Sequence, residues 1–67
     1  MKLKINGKEL SVPDDVTSVE KLLTHLGLEK KIVVVEKNGV IIEKEKHVEE
    51  SVNDSDQIEI ITFVGGG

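Results

Sequence analysis

The sequence ends in FVGGG, and its last three residues place one reactive group, the terminal carboxylate of Gly67, on an arm without side chains. Because glycine has no Cβ, the backbone of Gly65 and Gly66 can pass through a narrow channel, and a reagent can approach the carbonyl carbon of Gly67 closely. A carboxylate is a poor electrophile until a better leaving group is attached to it. The tail is therefore either a substrate that another protein activates or a chain end that frays.

The other side chains provide little for catalysis. There is no cysteine, which excludes disulfides, thiolate metal sites and thiol nucleophiles. We expect His25 on the surface of a helix without a second ligand, and His47 in a solvated, charged connection. The stretch Asp54-Ser55-Asp56 is similar to the start of a calcium loop, but the glycine at the sixth position and a following helix are missing, so we interpret it as a polar turn. We predict no metal site, no catalytic residue and no enzyme activity.

Composition and charge exclude further classes of function. A chain of 67 residues is one small domain with little room for a deep catalytic cleft. The net charge is −4, and Phe63 is the one aromatic residue, so base stacking and a basic patch for nucleic acid are both lacking. No apolar stretch approaches the roughly 18 residues of a membrane span, so we expect no membrane partner. The alternating N-terminus is unlike a signal peptide, and the lack of cysteine fits a reducing compartment, which predicts a cytoplasmic protein.

The first part of the chain predicts a β-hairpin. Residues 2–5 and 9–12 both alternate polar and apolar side chains, and Asn6-Gly7 lies between them. Asn-Gly is the strongest short-range signal for a tight hairpin turn, because both turn residues must tolerate positive φ. In this hairpin we expect Leu10 and Val12 to face the core.

A short helix follows. Thr17 is the expected N-cap, and Glu20 would complete a capping box. The apolar positions in residues 18–26 follow the helical spacing i, i+3, i+4 and i+7, and Gly27 stands where a left-handed residue would end the helix. Leu28 can then fold back on the last turn. Such a short helix would melt alone, so it must pack against a sheet.

Three more strands complete the pattern. Residues 32–35 form a continuous apolar run, which predicts a central strand with both faces at least partly covered. Asn38-Gly39 predicts a second tight turn before a strand at residues 40–42, and the charged residues 43–50 predict a surface connection with Val48 tucked inward. The last strand covers residues 57–64. The order β-β-α-β-β-β predicts an α+β fold, a ubiquitin-like β-grasp with a mixed sheet and one helix on one face. The domain would span residues 1–64, with residues 65–67 as a flexible tail.

The last strand contains one irregularity. Ile58 and Ile60 define the side of the strand that faces the core, which places Ile61 and Phe63 on the opposite side just before the glycines. Either a bulge resets the alternation or the opposite face is also covered. Alternatively, Ile61 and Phe63 form an exposed apolar patch on which a partner docks.

Several of these features together resemble those of the ThiS family, the sulfur-carrier proteins of thiamine biosynthesis. The resemblance rests on the Asn6-Gly7 turn, the short helix, the strand at residues 32–35 and the stretch NDSDQIEIITFVGGG. It covers essentially the whole chain. The most specific element is the acidic turn, followed by the alternating isoleucine strand and by Phe63-Val64 before the glycines. A third glycine, Gly65, precedes the diglycine and lengthens the arm.

The resemblance implies that this chain is the substrate of other enzymes. In such proteins a ThiF-like adenylyltransferase uses ATP to adenylate the terminal carboxylate, and the acyl-adenylate receives sulfur that a cysteine desulfurase takes from cysteine. The resulting C-terminal thiocarboxylate supplies sulfur to a ThiG-like thiazole synthase. For this chain the resemblance implies that Gly67 is the modified residue, that Gly66 completes the diglycine, that Gly65 extends the arm, and that the chain itself binds no cofactor.

Three other functions remain open at this point. A MoaD-like carrier would have the same tail chemistry but would supply sulfur to molybdopterin. A ubiquitin-like modifier would be joined through its tail to lysines of target proteins. A plain interaction module with a frayed end would keep its activity without Gly66 and Gly67.

Overall fold

The computed structural model describes residues 1–63, and the predicted end of the last strand at Val64 and the glycine tail lie outside the described residues. The elements in chain order are β1 (Lys2–Ile5), β2 (Lys8–Ser11), α1 (Val19–His25), β3 (Ile32–Lys37), β4 (Val40–Ile42), a short 3₁₀ helix (Lys44–Lys46) and β5 (Gln57–Phe63). This order confirms the predicted β-β-α-β-β-β succession. None of the helices within the described part of the chain has the length and apolar character needed to cross a membrane.

The five strands form one mixed sheet in the order β2-β1-β5-β3-β4. β1 and β5 are parallel, and the other neighbouring strands are antiparallel. β3 has a neighbouring strand on each edge, as predicted for the apolar run, and β5 lies in the middle of the sheet. β5, the last strand of the chain, thus lies between β1 and β3, which come from distant parts of the sequence.

The core lies on one face of this sheet. The strands contribute Leu3, Val35, Ile58 and Ile60, and α1 contributes Val19, Leu22 and Leu23; Val12, Val16 and Val52 complete the cluster. The buried strand residues alternate with exposed ones, as expected of a sheet that is covered on one side. Complete burial of such a side chain contributes about 1.5–3 kcal/mol relative to leaving it exposed. The helix is consequently held by its apolar stripe, and the other face of the sheet faces solvent.

Both ends of α1 have hydrogen-bonded caps, but the N-cap differs from the prediction. Ser18, and not Thr17, is the N-cap, and its hydroxyl accepts a hydrogen bond of 3.1 Å from the Lys21 N–H. At the other end Gly27 has φ +75°, and Leu28 N–H donates to Leu23 O at 2.8 Å, which is a Schellman ending. Leu28 packs against the core as predicted. The N-cap lies one residue later than predicted. Ser18 has the extended backbone conformation of an N-cap, and it also forms a β-bridge with Ser51.

Leu10 points to the predicted side of the sheet, whereas the burial predictions for Val48 and His47 are wrong. Leu10 faces the same side as the buried Leu3 opposite it, but it is 39% exposed because β2 is an edge strand. In the charged connection Val48 is 62% exposed and His47 is buried instead. The turn after the 3₁₀ helix directs the His47 ring inward, where its Nε2 lies 3.1 Å from Ile42 O. Hydrophobicity alone does not indicate which side chain of a short connection points inward.

The two predicted Asn-Gly turns are confirmed. Asn6 and Gly7 have φ values of 51° and 82°, and Asn38 and Gly39 have 50° and 87°. Both pairs lie in the left-handed region that asparagine and glycine tolerate better than other residues.

The amino terminus is attached to the loop after β2. The Met1 amino group donates hydrogen bonds of 2.9 Å to Val12 O and to Asp14 Oδ1. This hydrogen bond, and then the positive charge of the amino group, holds the pKa of Asp14 below its ordinary value of 3.8. A carboxyl whose pKa is lowered by folding stabilises the folded state above its unfolded pKa, and that stabilisation is lost as the pH falls through the folded pKa.

We predict that Asp14→Asn lowers the melting temperature slightly at neutral pH, where the carboxylate is charged. The difference from the unsubstituted chain should disappear at a pH well below the ordinary Asp14 pKa of 3.8, because both side chains are then neutral. Thermal unfolding followed by circular dichroism over this pH range measures the difference. Asp15→Asn, at an exposed neighbouring position, is the matched control, and an equal loss in that variant would contradict a specific contact of Asp14.

Candidate functional site

The strand that leads to the tail keeps a regular register up to its last described residue. β5 pairs with β3 without interruption, from Lys37 opposite Ile58 to Ile32 opposite Phe63. A bulge in this stretch is therefore excluded. Ile61 and Phe63 lie on the face opposite to the core, where their side chains are 57% and 53% exposed. The structure thus shows an exposed position for both predicted docking residues.

Ile61 and Phe63 belong to a larger apolar surface. Ile32 lies opposite Phe63, and Val34 lies opposite Ile61, so all four side chains are on the same face. Ile32 is 70% exposed and Val34 is partly buried. We call these four residues the open-face patch. It lies at the end of β5 from which the chain continues towards the glycines.

The sequence prediction did not identify Ile32 and Val34 as surface residues, because it expected both faces of their strand to be at least partly covered. A continuous apolar run directs half of its side chains to each face. The single short helix α1 can cover only one face of the sheet. The side chains of the run that point to the other face are therefore exposed unless another element packs on that face. Val35 is completely buried on the helix side, and Val33 packs against the core. This reasoning predicts from the sequence that alternate residues of the run are exposed, but only the pairing with β5 places Ile32 and Val34 beside Phe63 and Ile61.

The rest of the open face is mainly polar. In the β1–β2 half, the same face presents Lys2, Lys4 and Glu9, and β5 adds Gln57 and Glu59. Lys2 and Glu9 approach to 3.9 Å. The patch is therefore an apolar area beside charged side chains, and it lies near the end of the described chain. Large contiguous apolar surfaces with a polar border are typical of protein–protein contacts.

The residues considered as metal ligands are either exposed or hydrogen-bonded to the backbone. His25 is exposed, as expected. Asp54 Oδ1 accepts a hydrogen bond of 2.7 Å from Lys2 N–H, and Asp56 Oδ2 accepts one of 2.8 Å from Asn53 N–H. Asp54 thus binds the backbone at the start of β1, and Asp56 binds the backbone of its own turn. Within residues 1–63 no three His, Asp or Glu side chains are grouped closely enough to hold a metal ion.

Among residues 1–63 the structure thus shows an exposed apolar patch and no group of side chains that could hold a metal ion. Gly65, Gly66 and Gly67 lie outside the described residues, so their roles stay predictions. Adenylation or sulfur transfer at Gly67 would need catalytic groups from a partner that docks nearby.

Comparisons of the sequence with known proteins identify its relatives. The sequence model of the ThiS family matches residues 2–67. The sulfur carrier protein ThiS of Bacillus subtilis is 46% identical over 65 residues, which is 97% of this chain and 98% of that protein. A thiazole synthase of Paramagnetospirillum magneticum is 45% identical over 67 residues, but this match covers 20% of that longer protein.

A comparison of structures agrees with the sequence comparison. The crystal structure of the thiamine biosynthesis protein ThiS from Geobacter metallireducens superposes with a TM-score of 0.83 and 36% sequence identity, and the match covers 100% of both chains. The predicted ubiquitin-like β-grasp is thereby confirmed. With a family match that spans nearly all of its residues and a fold shared over its whole length, this chain belongs to the ThiS family.

Proposed function

We propose that this chain carries sulfur as a thiocarboxylate on Gly67 and delivers it for the formation of thiazole. As a member of the ThiS family, the chain is a sulfur carrier protein of thiamine biosynthesis and not an enzyme. The observation that carries the proposal for Gly67 is that the family match extends to residue 67 and therefore includes the three glycines.

The tail chemistry proceeds in two stages. A carboxylate oxygen of Gly67 attacks the α-phosphorus of ATP on a ThiF-like adenylyltransferase, which releases pyrophosphate and leaves an acyl-adenylate. A persulfide, charged with sulfur from cysteine by a desulfurase, attacks the Gly67 carbonyl and expels AMP together with the former carboxylate oxygen. A thiol then reduces the acyl disulfide, and the thiocarboxylate remains. The bare glycine backbone of Gly65 and Gly66 allows the tail to thread into each active site.

The open-face patch is the proposed docking surface for the activating enzyme. Ile61 and Phe63 lie four or more residues before Gly67, so a partner that surrounds the terminal carbonyl also reaches the end of β5. Burial of apolar side chains supplies affinity that does not depend on the short tail. The net charge of −4 would also favour a partner with a basic border around its apolar contact.

The thiazole synthase matches support a ThiG-like enzyme as the sulfur acceptor. In the Paramagnetospirillum magneticum protein, a segment similar to this whole chain is part of a much longer polypeptide named thiazole synthase. A second thiazole synthase, from Magnetococcus marinus, is 33% identical over 67 residues, again 20% of its length. Covalent linkage raises the effective concentration of a carrier at its acceptor. In separate chains the same encounter would depend on a docking surface.

The reaction would take place in the cytoplasm, where ATP and free cysteine are both present.

The two alternative tail chemistries differ in their products. A MoaD-like carrier would form the same thiocarboxylate but transfer sulfur to a molybdopterin precursor, and a ubiquitin-like modifier would form isopeptide bonds. The thiazole synthase relatives favour the first proposal over both.

We predict that incubation with a ThiF-like enzyme, ATP and a cysteine-fed desulfurase replaces one oxygen of the chain by sulfur. Intact mass spectrometry detects this exchange directly. Deletion of Gly67 should abolish it, because the preceding carboxylate would lie one residue short of the catalytic groups. Gly67→Ala should reduce it while the melting temperature stays unchanged. Transfer of the sulfur to a molybdopterin precursor, but not to a ThiG-like synthase, would contradict the thiazole assignment, and an unmodified mass with an active enzyme would contradict the whole proposal.

We predict that Ile61→Asp and Phe63→Asp each raise the KM of the chain for the ThiF-like enzyme by about tenfold or more, because a charge is buried in an apolar contact. Steady-state pyrophosphate exchange measures KM and kcat. Val40→Asp is the matched control: Val40 is 61% exposed on the opposite face of the sheet, so its substitution should leave KM unchanged. Equal effects at all three positions would contradict docking through the open-face patch.

A further inference from the structure

The side chain of Asn6 acts as a short extension of β1. β1 ends at Ile5, and the chain turns away at Asn6-Gly7. Asn6 Oδ1 nevertheless accepts a hydrogen bond of 2.7 Å from Ile60 N–H, and its Nδ2 donates one of 3.1 Å to Ile60 O. The backbone N–H of Asn6 donates to Ile58 O at 2.9 Å. The amide of the side chain thus occupies the place that the backbone of a further strand residue would take.

This contact is the last one that β5 makes on the β1 side. The backbone groups of Ile58 and Ile60 face β1, and the next residue of this set is Thr62. Within residues 1–63, no hydrogen bond joins Thr62 to β1 or to the Asn6-Gly7 turn. From Ile61 to Phe63 the strand is paired with β3 alone. Ile60 is therefore the last residue of β5 that is held from both sides before the chain continues to the tail.

We propose that Asn6 is a positioning residue for sulfur loading: by holding both backbone groups of Ile60, it orients the end of β5 from which Ile61, Phe63 and the tail depart. The inference rests on the proposed function and adds a residue outside the open-face patch. In this proposal Asn6 makes no contact with the partner. Its effect is to keep the docking residues in the conformation that the activating enzyme binds.

Asparagine suits this position for two reasons. Its φ of 51° lies in the left-handed region, which asparagine tolerates better than most residues. Its short amide also carries one acceptor and one donor, which match the N–H and the C=O of a single backbone residue. Glycine would keep the turn but remove both hydrogen bonds, and aspartate would keep only the acceptor.

The effect of an Asn6 substitution on KM depends on how often the end of β5 is ordered. If β5 frays beyond Ile60, only the ordered fraction can dock, and the apparent dissociation constant rises by the inverse of that fraction. Loss of two hydrogen bonds in a partly buried position is expected to raise KM by about three- to tenfold. The kcat should stay unchanged, because the docked complex contains the same tail and the same catalytic groups.

The second Asn-Gly turn provides a matched control. Asn38 has a φ of 50°. Its Oδ1 accepts a hydrogen bond of 2.9 Å from Gln57 N–H, and its Nδ2 donates one of 3.0 Å to Asp56 Oδ1. Asn38→Gly therefore also removes two side-chain hydrogen bonds beside β5, but at the opposite end of the strand from the tail.

The experiment compares Asn6→Gly, Asn6→Asp and Asn38→Gly in pyrophosphate exchange with a ThiF-like enzyme and ATP, below the melting temperature of each variant. We expect a higher KM with unchanged kcat for Asn6→Gly, a smaller increase for Asn6→Asp, and an unchanged KM for Asn38→Gly. In amide hydrogen exchange of the free chains, Asn6→Gly should speed exchange at Ile60, Ile61 and Phe63, and Asn38→Gly should do so at Gln57.

The inference would be overturned by equal KM values for Asn6→Gly and Asn38→Gly, or by a fall in kcat with unchanged KM. Failure of both Asn6 variants to fold would also overturn it, because Asn6 would then be needed by the whole fold and not by the end of β5. An inactive unsubstituted chain, tested with an enzyme active on another carrier, would instead overturn the proposed function. An active unsubstituted chain whose Asn6 and Asn38 variants have equal KM values would instead contradict only the inference about Asn6.

Discussion

The pairing of β5 on both of its edges is the constraint on which the rest of the structure depends. β1 meets it in parallel and β3 in antiparallel orientation, so within the sheet the N-terminal hairpin and the β3–β4 hairpin are joined by this last strand. On the helix side, Ile58 is completely buried and Ile60 nearly so, among the apolar side chains of α1. Side chains alternate along a strand, and burial of these two residues therefore directs Ile61 to the opposite face.

The same alternation connects stability with function. The side of β5 that stabilises the core sets the register, and a slip by one residue would exchange the buried and the exposed side chains. The helix covers one face only, which leaves Ile32, Val34, Ile61 and Phe63 together on the other. The domain thus presents an exposed apolar patch at the described end of its last strand.

Near the ends of β1 and β5, side-chain amides and carboxylates form hydrogen bonds with backbone groups that lack a strand partner there. Asn6 pairs with Ile60, Asn38 pairs with Gln57 N–H, and Asp54 accepts from Lys2 N–H. Each of these polar residues belongs to a tight turn, where asparagine and aspartate are favoured for local reasons as well. In this fold they also hold groups that are far away in sequence. Asn6 and Ile60 are 54 positions apart.

Local patterns in the sequence determined the element order, both Asn-Gly turns, the Schellman end of the helix and the alternation of β5, because these depend on neighbouring residues. The resemblance to ThiS proteins indicated the family. Only the tertiary structure decided which strand is central, that His47 and not Val48 is buried, and that Ile32 and Val34 extend the patch. These features depend on which edges and faces other elements cover. The contact between Asn6 and Ile60 is of the same kind, since no local pattern shows that the side chain of a turn residue will pair with a residue 54 positions away.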